Sequence, residues 1–133
     1  MVKVGVIGYS AQSFNKQKAR EEIKRIYTEL ENKYGNVSIV SGYTNLGIPK
    51  IAYEEATNKG WKTKGIACEK AHNYKTYPVD EYIIEGEDWG DESETFLNSI
   101  DILIKIGGGK QSNEECRKAK EKNITIYENI KNI

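Results

Sequence analysis

The chain holds one histidine and two cysteines, so the imidazole and thiolate ligands of zinc-type sites are scarce. Cys68 and Cys116 lack metal-ligand spacing, and His72 has no second histidine or nearby cysteine to join it, so no metal site is expected. A lone cysteine pair in an intracellular chain is more often reduced than bridged, so both cysteines read as small buried apolar groups. His72, beside Asn73 and Lys75, reads as a solvated loop residue. An excess of charge is also missing, because twenty basic side chains balance twenty acidic ones. Nothing global draws such a chain to a nucleic acid polymer or an anionic membrane, and any recognition of phosphate must be local. No run approaches the ~20 apolar residues of a membrane span. The amino terminus turns β-like at once, without the basic, apolar and cleavage regions of a signal peptide, so a cytoplasmic location is expected. With 133 residues, one domain over 1–133 is expected, since the chain is long enough for one core and too short for two.

What the sequence does contain is alternation. Val2 to Gly8 is a short β-branched run ended by glycine. Ala19, Ile23, Ile26, Tyr27, Leu30 and Tyr34 then recur at spacings of three and four, with Gly35 and Asn36 as stop signals, and predict an amphipathic helix. Val37 to Val40 predicts a second strand. Ile48, Ile51, Ala52 and Ala56 predict a second helix with Pro49 in its first turn. Strands follow at Thr63 to Cys68 and Glu81 to Ile84, separated by a loop holding His72, Tyr74, Tyr77 and Pro78. A turn at Gly86 to Asp91 leads to a short helix at Ser93 to Asn98, and Ile100 to Ile106 predicts a central strand. After a glycine loop come a helix from about Ser112 to Lys122 and a last strand at Ile124 to Tyr127. Strands alternating with helices predict an α/β fold, a single Rossmann-like domain with a mostly parallel sheet and helices on both faces. In such sheets ligands sit beyond the carboxyl ends of the strands.

Three loops at those ends combine glycine with hydroxyl groups and precede predicted helices. A helix amino terminus has unpaired N–H groups and a partial positive charge, so phosphate is its natural guest. The first loop supplies Gly8, Tyr9, Ser10 and Ser13, with Tyr9 as a stacking surface; an ordinary turn capped by Ser13 or Asn15 accounts for it equally well. The second supplies Ser41, Gly42, Tyr43, Thr44, Asn45 and Gly47, with helix capping by Thr44 or Asn45 as the alternative. The third, Gly107, Gly108, Gly109, Lys110, Gln111 and Ser112, is the most specific, because three successive glycines are costly in backbone entropy unless close approach needs them. It matches neither a Walker A loop nor the dinucleotide fingerprint.

These segments resemble the SLOG superfamily, which includes the lonely guy and lysine-decarboxylase-like proteins. The likeness rests on Val4 to Ser10, Ser41 to Ala52, and Ser99 to Asp101 running into Gly107 to Glu115. The last stretch resembles the motif PGGxGTxxE, with Gly108 and Gly109 on its glycine pair, Ser112 on its threonine and Glu115 on its glutamate. Gly107 replaces the proline, Gln111 replaces the next glycine, and the Ser41 segment lacks a full triple glycine. Counting back from Asp101 places Glu92 and Ser93 where the enzymes of the group carry an arginine-lysine pair. The resemblance implies a nucleotide-binding fold, often a homodimer or higher homo-oligomer, whose enzymatic branch releases a free base from a nucleoside 5′-monophosphate.

Three functions are therefore carried forward. The first is a module that binds a nucleotide or phosphorylated nucleoside as a sensor or sequestering protein, with no further cofactor. The second is a phosphoribohydrolase using Glu115 with Glu92 or Glu94 as acid or base, although acidic residues before a helix also simply stabilise its dipole. The third is an assembly module, in which Trp61, Trp89, Tyr74 and Tyr77 form a protein interface.

Overall fold

Two central strands organise the computed structural model, which describes residues 1–129 and 133. They are β1 (Lys3–Gly8) and β5 (Ile102–Ile106), paired in parallel from Val4 beside Ile102 to Gly8 beside Ile106. From β1 the chain builds outward through β2 (Ser38–Ser41), β3 (Lys62–Ala67) and β4 (Glu81–Ile84). It then crosses back to β5 and ends on β6 (Thr125–Asn129), giving the order β4-β3-β2-β1-β5-β6. All five pairings are parallel, so the sheet is a Rossmann-like α/β sheet throughout and not only for the most part. The order reverses between β1 and β5, and a crevice opens where their connections diverge.

Strand side chains alternate between faces, so both faces of a parallel sheet need cover. Val4, Val6, Ile39, Ile102, Ile104 and Ile106 pack with α1 (Lys16–Tyr34) and α2 (Gly47–Asn58). Ile7, Val40, Ile66 and Leu103 pack on the other side with α3 (Ser93–Asn98) and α4 (Lys110–Glu121).

Asn15 caps α1, its side chain accepting from the Lys18 amide at 3.0 Å, and Gly35 closes the helix. The helix buries Ala19, Ile23, Ile26, Tyr27 and Leu30 but leaves Tyr34 exposed, since at the last turn the stripe has run past the sheet. Most other boundaries lie within two residues of expectation. Ile100 and Asp101 precede β5 instead of belonging to it, with Asp101 bonded to the start of β1 through Lys3 on both its amide and its carboxylate. α4 begins two residues early, directly after Gly109. The segment expected as loop holds a short 3-10 helix, Glu69–Asn73, carrying an exposed His72. Cys68 and Cys116 are free and buried. No helix among the described residues is long and apolar enough to cross a membrane.

Candidate functional site

The loops after β1, β2 and β5 meet around one cleft of about 410 Å³ at the carboxyl ends of the strands. That volume lies in the range of small-molecule sites.

In the first loop, the Tyr9 amide donates to the Ile106 carbonyl, and the Tyr9 carbonyl accepts from Ile48 at the start of α2, at 3.1 and 2.7 Å. These bonds tie β1 to its neighbours and turn the chain so that Gly8, Ser10, Ala11 and Gln12 line the cleft. Tyr9 itself does not line it. Its ring stacks on Phe14 at 5.2 Å and packs against the α1–α2 core, because burying the ring faces is favourable. Ser13 is exposed and lies outside the lining as well.

The second loop brings Ser41, Gly42, Tyr43 and Thr44 to the cleft. The Ser41 hydroxyl is already committed, donating to the Val6 carbonyl at 2.6 Å. Thr44 bridges to Thr76, and the Asn45 amide donates to the Lys75 carbonyl, so this loop is anchored to the segment after β3. Asn45 and Gly47 sit behind the cleft wall. Gly47 allows the loops to touch, since a Cβ there would lie 2.5 Å from the Tyr9 carbonyl oxygen.

The third loop corrects the reading of its glycine run. Gly107 and Gly108 have φ of +61° and +110°, and a Cβ on either would strike protein: the Tyr9 ring at 2.1 Å, or the Ser112 side chain at 2.6 Å. These two glycines build the turn and do not line the cleft. Gly109, Lys110, Gln111 and Ser112 do. Gly109 caps α4 without any side-chain bond, and the amides of Lys110, Gln111 and Ser112 have no acceptor among the described residues. The helix therefore opens on the cleft with its donors free.

Two carboxylates stand in the buried part. Glu92 and Glu115 are 4% and 6% exposed, and the Gln111 amide lies between them, 3.1 Å from Glu92 Oε1 and 3.4 Å from Glu115 Oε2. Ser93 donates to Glu115 Oε2 at 2.6 Å and the Gly90 amide to Glu92 Oε1 at 2.8 Å. Burial pushes both carboxyls up from their ordinary values, against these hydrogen bonds. Glu94 takes no part: it is exposed and pairs with Lys122 at 3.1 Å, away from the cleft.

Tyr74 and Trp89 also line the cleft, with ring centroids 5.9 Å apart and both rings exposed. With Trp61 and Tyr77 they are the aromatics expected to share an assembly surface. Trp61 is instead buried against Tyr27, and Tyr77 is half-buried on Tyr53, so that surface does not form. Gln12 and Phe96 were missed. No group of three or more His, Cys, Asp and Glu side chains among the described residues could hold a metal ion.

Fold and cleft together define a doubly wound, all-parallel α/β domain with a ligand-sized crevice at its switch point. No family model matches the chain, and neither does any curated protein. Solved structures do share its fold. The molybdenum cofactor binding protein from the phototrophic bacterium Rippkaea orientalis has a TM-score of 0.78 at 19% identity, over 96% of this chain and 75% of that one. The molybdenum cofactor carrier protein from Chlamydomonas reinhardtii has a TM-score of 0.75 at 21% identity, over the same shares of 96% and 75%. The structural genomics target TM1055 has a TM-score of 0.75 at 21% identity, over 95% of this chain and 72% of its own.

Proposed function

We propose that the cleft binds a small phosphorylated molecule bearing a planar ring, a nucleotide or phosphorylated nucleoside, and that the chain acts as a sensing or sequestering module of the SLOG type. The observation that carries this reading is the open amino end of α4, whose Lys110, Gln111 and Ser112 amides have no acceptor among the described residues and belong to the cleft lining. Phosphate placed there meets aligned donors and the positive end of the helix dipole. Exposed Ser10 and Gln12 stand on the facing loop, and Tyr74 and Trp89 offer ring faces for stacking. Two fold neighbours are named for binding or carrying a small-molecule cofactor, which supports a small-ligand site in this fold. A homodimer or higher homo-oligomer is part of this reading through the SLOG resemblance.

Thermal unfolding with nucleoside monophosphates, a phosphorylated pterin and the matching unphosphorylated compounds tests it. The phosphorylated ligands should raise Tm in a concentration-dependent way, with about 2.7 kcal/mol of stabilisation at a hundredfold excess over Kd. Equal effects with and without phosphate would count against α4 as the anchor.

Glu92 and Glu115 support a second reading, a phosphoribohydrolase. Two buried carboxylates beside one bound sugar can supply a proton acceptor and stabilise the positive charge that develops as the N-glycosidic bond breaks. Release of free base from nucleoside monophosphates decides it. Glu115→Gln should then abolish turnover while retaining binding.

A further inference from the structure

The two ends of the cleft differ in kind. Its rim carries exposed donors, with Ser10, Gln12 and Lys110 around the open amides of α4. Its interior carries buried acceptors, Glu92 and Glu115, among the apolar side chains of Ile66, Ala67 and Phe96. A phosphate is drawn to the rim and repelled from the interior. Buried carboxylates call instead for hydrogen-bond donors on the ligand.

A sugar can donate hydroxyl protons, but it is polar on all sides and these walls are apolar. A flat heteroaromatic ring lays carbon faces on such walls and keeps its polar atoms at the edge. The edge must then present donors. Adenine presents an acceptor at its ring N1, whereas guanine and pterins present a ring N–H beside an amino group, two parallel donors that match a carboxylate.

The hydrogen bonds within the acid pair leave room for this. In Glu92 the bonds from Gly90 and Gln111 fall on Oε1, and in Glu115 those from Ser93 and Gln111 fall on Oε2. Glu115 Oε1 accepts none of them, Glu92 is held further by the amide and thiol of Cys68, and both residues line the cleft. Gln111 is the positioning residue, because its one amide nitrogen reaches both carboxylates and fixes their spacing.

We propose that Glu92 and Glu115, spaced by Gln111, read the 2-amino-4-oxopyrimidine edge that guanine and pterins share, so that the ligand enters ring first and leaves its phosphate at the start of α4. This rests on the reading of the cleft as a site for a phosphorylated ring compound.

Calorimetric titration of the full chain with five ligands tests it: guanosine, inosine and adenosine monophosphates, 2′-deoxyguanosine monophosphate, and neopterin monophosphate. The guanosine or the pterin ligand should bind roughly tenfold more tightly than the inosine ligand, which lacks the amino group. The adenosine ligand should bind no better than the inosine one, and loss of the 2′-hydroxyl should change affinity by less than about twofold. Whichever of guanosine and pterin binds tighter identifies the source of the edge. Gln111→Leu should reduce the guanosine-to-adenosine ratio to below about threefold, a readout that lost stability alone would not move. Equal affinity for the three ribonucleotides overturns the proposal while leaving the binding reading intact. A tenfold loss on removing the 2′-hydroxyl, without discrimination among bases, overturns it in favour of the sugar. No binding by any of the five overturns both together.

Discussion

The ring of Tyr9 fills the space that a side chain at Gly107 would need, with a built Cβ lying 2.1 Å from Tyr9 Cε2. This contact joins the first loop to the third and makes their packing the reason for the glycine. Gly107→Ala combines a left-handed backbone, costing about 1–2 kcal/mol, with overpacking that costs about 1–3 kcal/mol. Urea unfolding should show a loss of about 2–5 kcal/mol. Gly109→Ala should cost under about 1 kcal/mol, since its Cβ meets only the end of the Gln12 side chain, at 3.0 Å. Equal losses at the two positions would contradict this packing.

Burial raises the Glu115 carboxyl against the hydrogen bonds from Ser93 and Gln111, and the neighbouring Glu92 charge adds to the rise. A carboxyl raised on folding binds its proton more tightly in the folded chain, so protonation stabilises the fold. That contribution is complete below the unfolded value of about 4.3 and is lost as pH climbs through the folded one. Ionising the group in the folded chain is therefore a cost. Glu115→Gln should raise the stability of the unligated chain at pH 7 by about 0.5–2 kcal/mol, and its advantage over the wild type should shrink on acidification. Melting curves from pH 7 to pH 5 check this. A mutant less stable at pH 7 would show that the hydrogen bonds outweigh desolvation.

Tyr74 and Trp89 are 49% and 45% exposed, so truncating either should change stability by less than about 0.5 kcal/mol. Each face lost to a stacked ring should weaken ligand binding by about 1–3 kcal/mol, roughly five- to 150-fold. Trp89→Ala and Tyr74→Ala, compared by titration with Tyr34→Ala at the far end of α1, separate the two effects. Identical affinities in all three would remove the aromatics from the site.

Arg20 reaches Glu54 and Glu55 at 2.7 and 2.6 Å, and Glu55 is buried where α1 meets α2. Among the described residues, Arg20→Ala leaves Glu55 only Lys24 as an ion-pair partner, at 3.9 Å. Because the Arg20 side chain keeps 32% exposure, the expected loss is modest, about 1–2 kcal/mol by urea unfolding. Adding Glu55→Gln should restore part of it, and no restoration would exclude a buried-charge penalty.

The elements were legible in the sequence because apolar side chains recur with helix and strand periods, as in Ala19 to Leu30 and Ile102 to Ile106. Tyr34 continued the helical period without a sheet beneath it, which no local pattern reveals. The three loops were legible because glycine and serine cluster after strands. Their internal arrangement was not: whether Tyr9 turns toward a ligand or toward Phe14, and whether the Ser41 hydroxyl is free or bonded to Val6, depends on contacts across the sheet. Tyr74 comes from the connection between β3 and β4, which lacks that glycine-serine signal, and Trp89 from the turn between Gly86 and Gly90 after β4; only the folded chain brings both to the same cleft as Ser10 and Gln111.

The proposed binding rests on phosphate meeting the start of α4 inside the cleft shared by three loops. Amide chemical shifts of the isotope-labelled chain, followed during titration with guanosine monophosphate and then with guanosine, measure this most directly. Shifts should concentrate at residues 8–12, 41–44 and 109–112, with Lys110, Gln111 and Ser112 responding to the monophosphate far more than to the nucleoside. Unmoved amides at those three positions, or shifts gathered around Lys3, Thr63 and Asp80 at the opposite end of the strands, would contradict it.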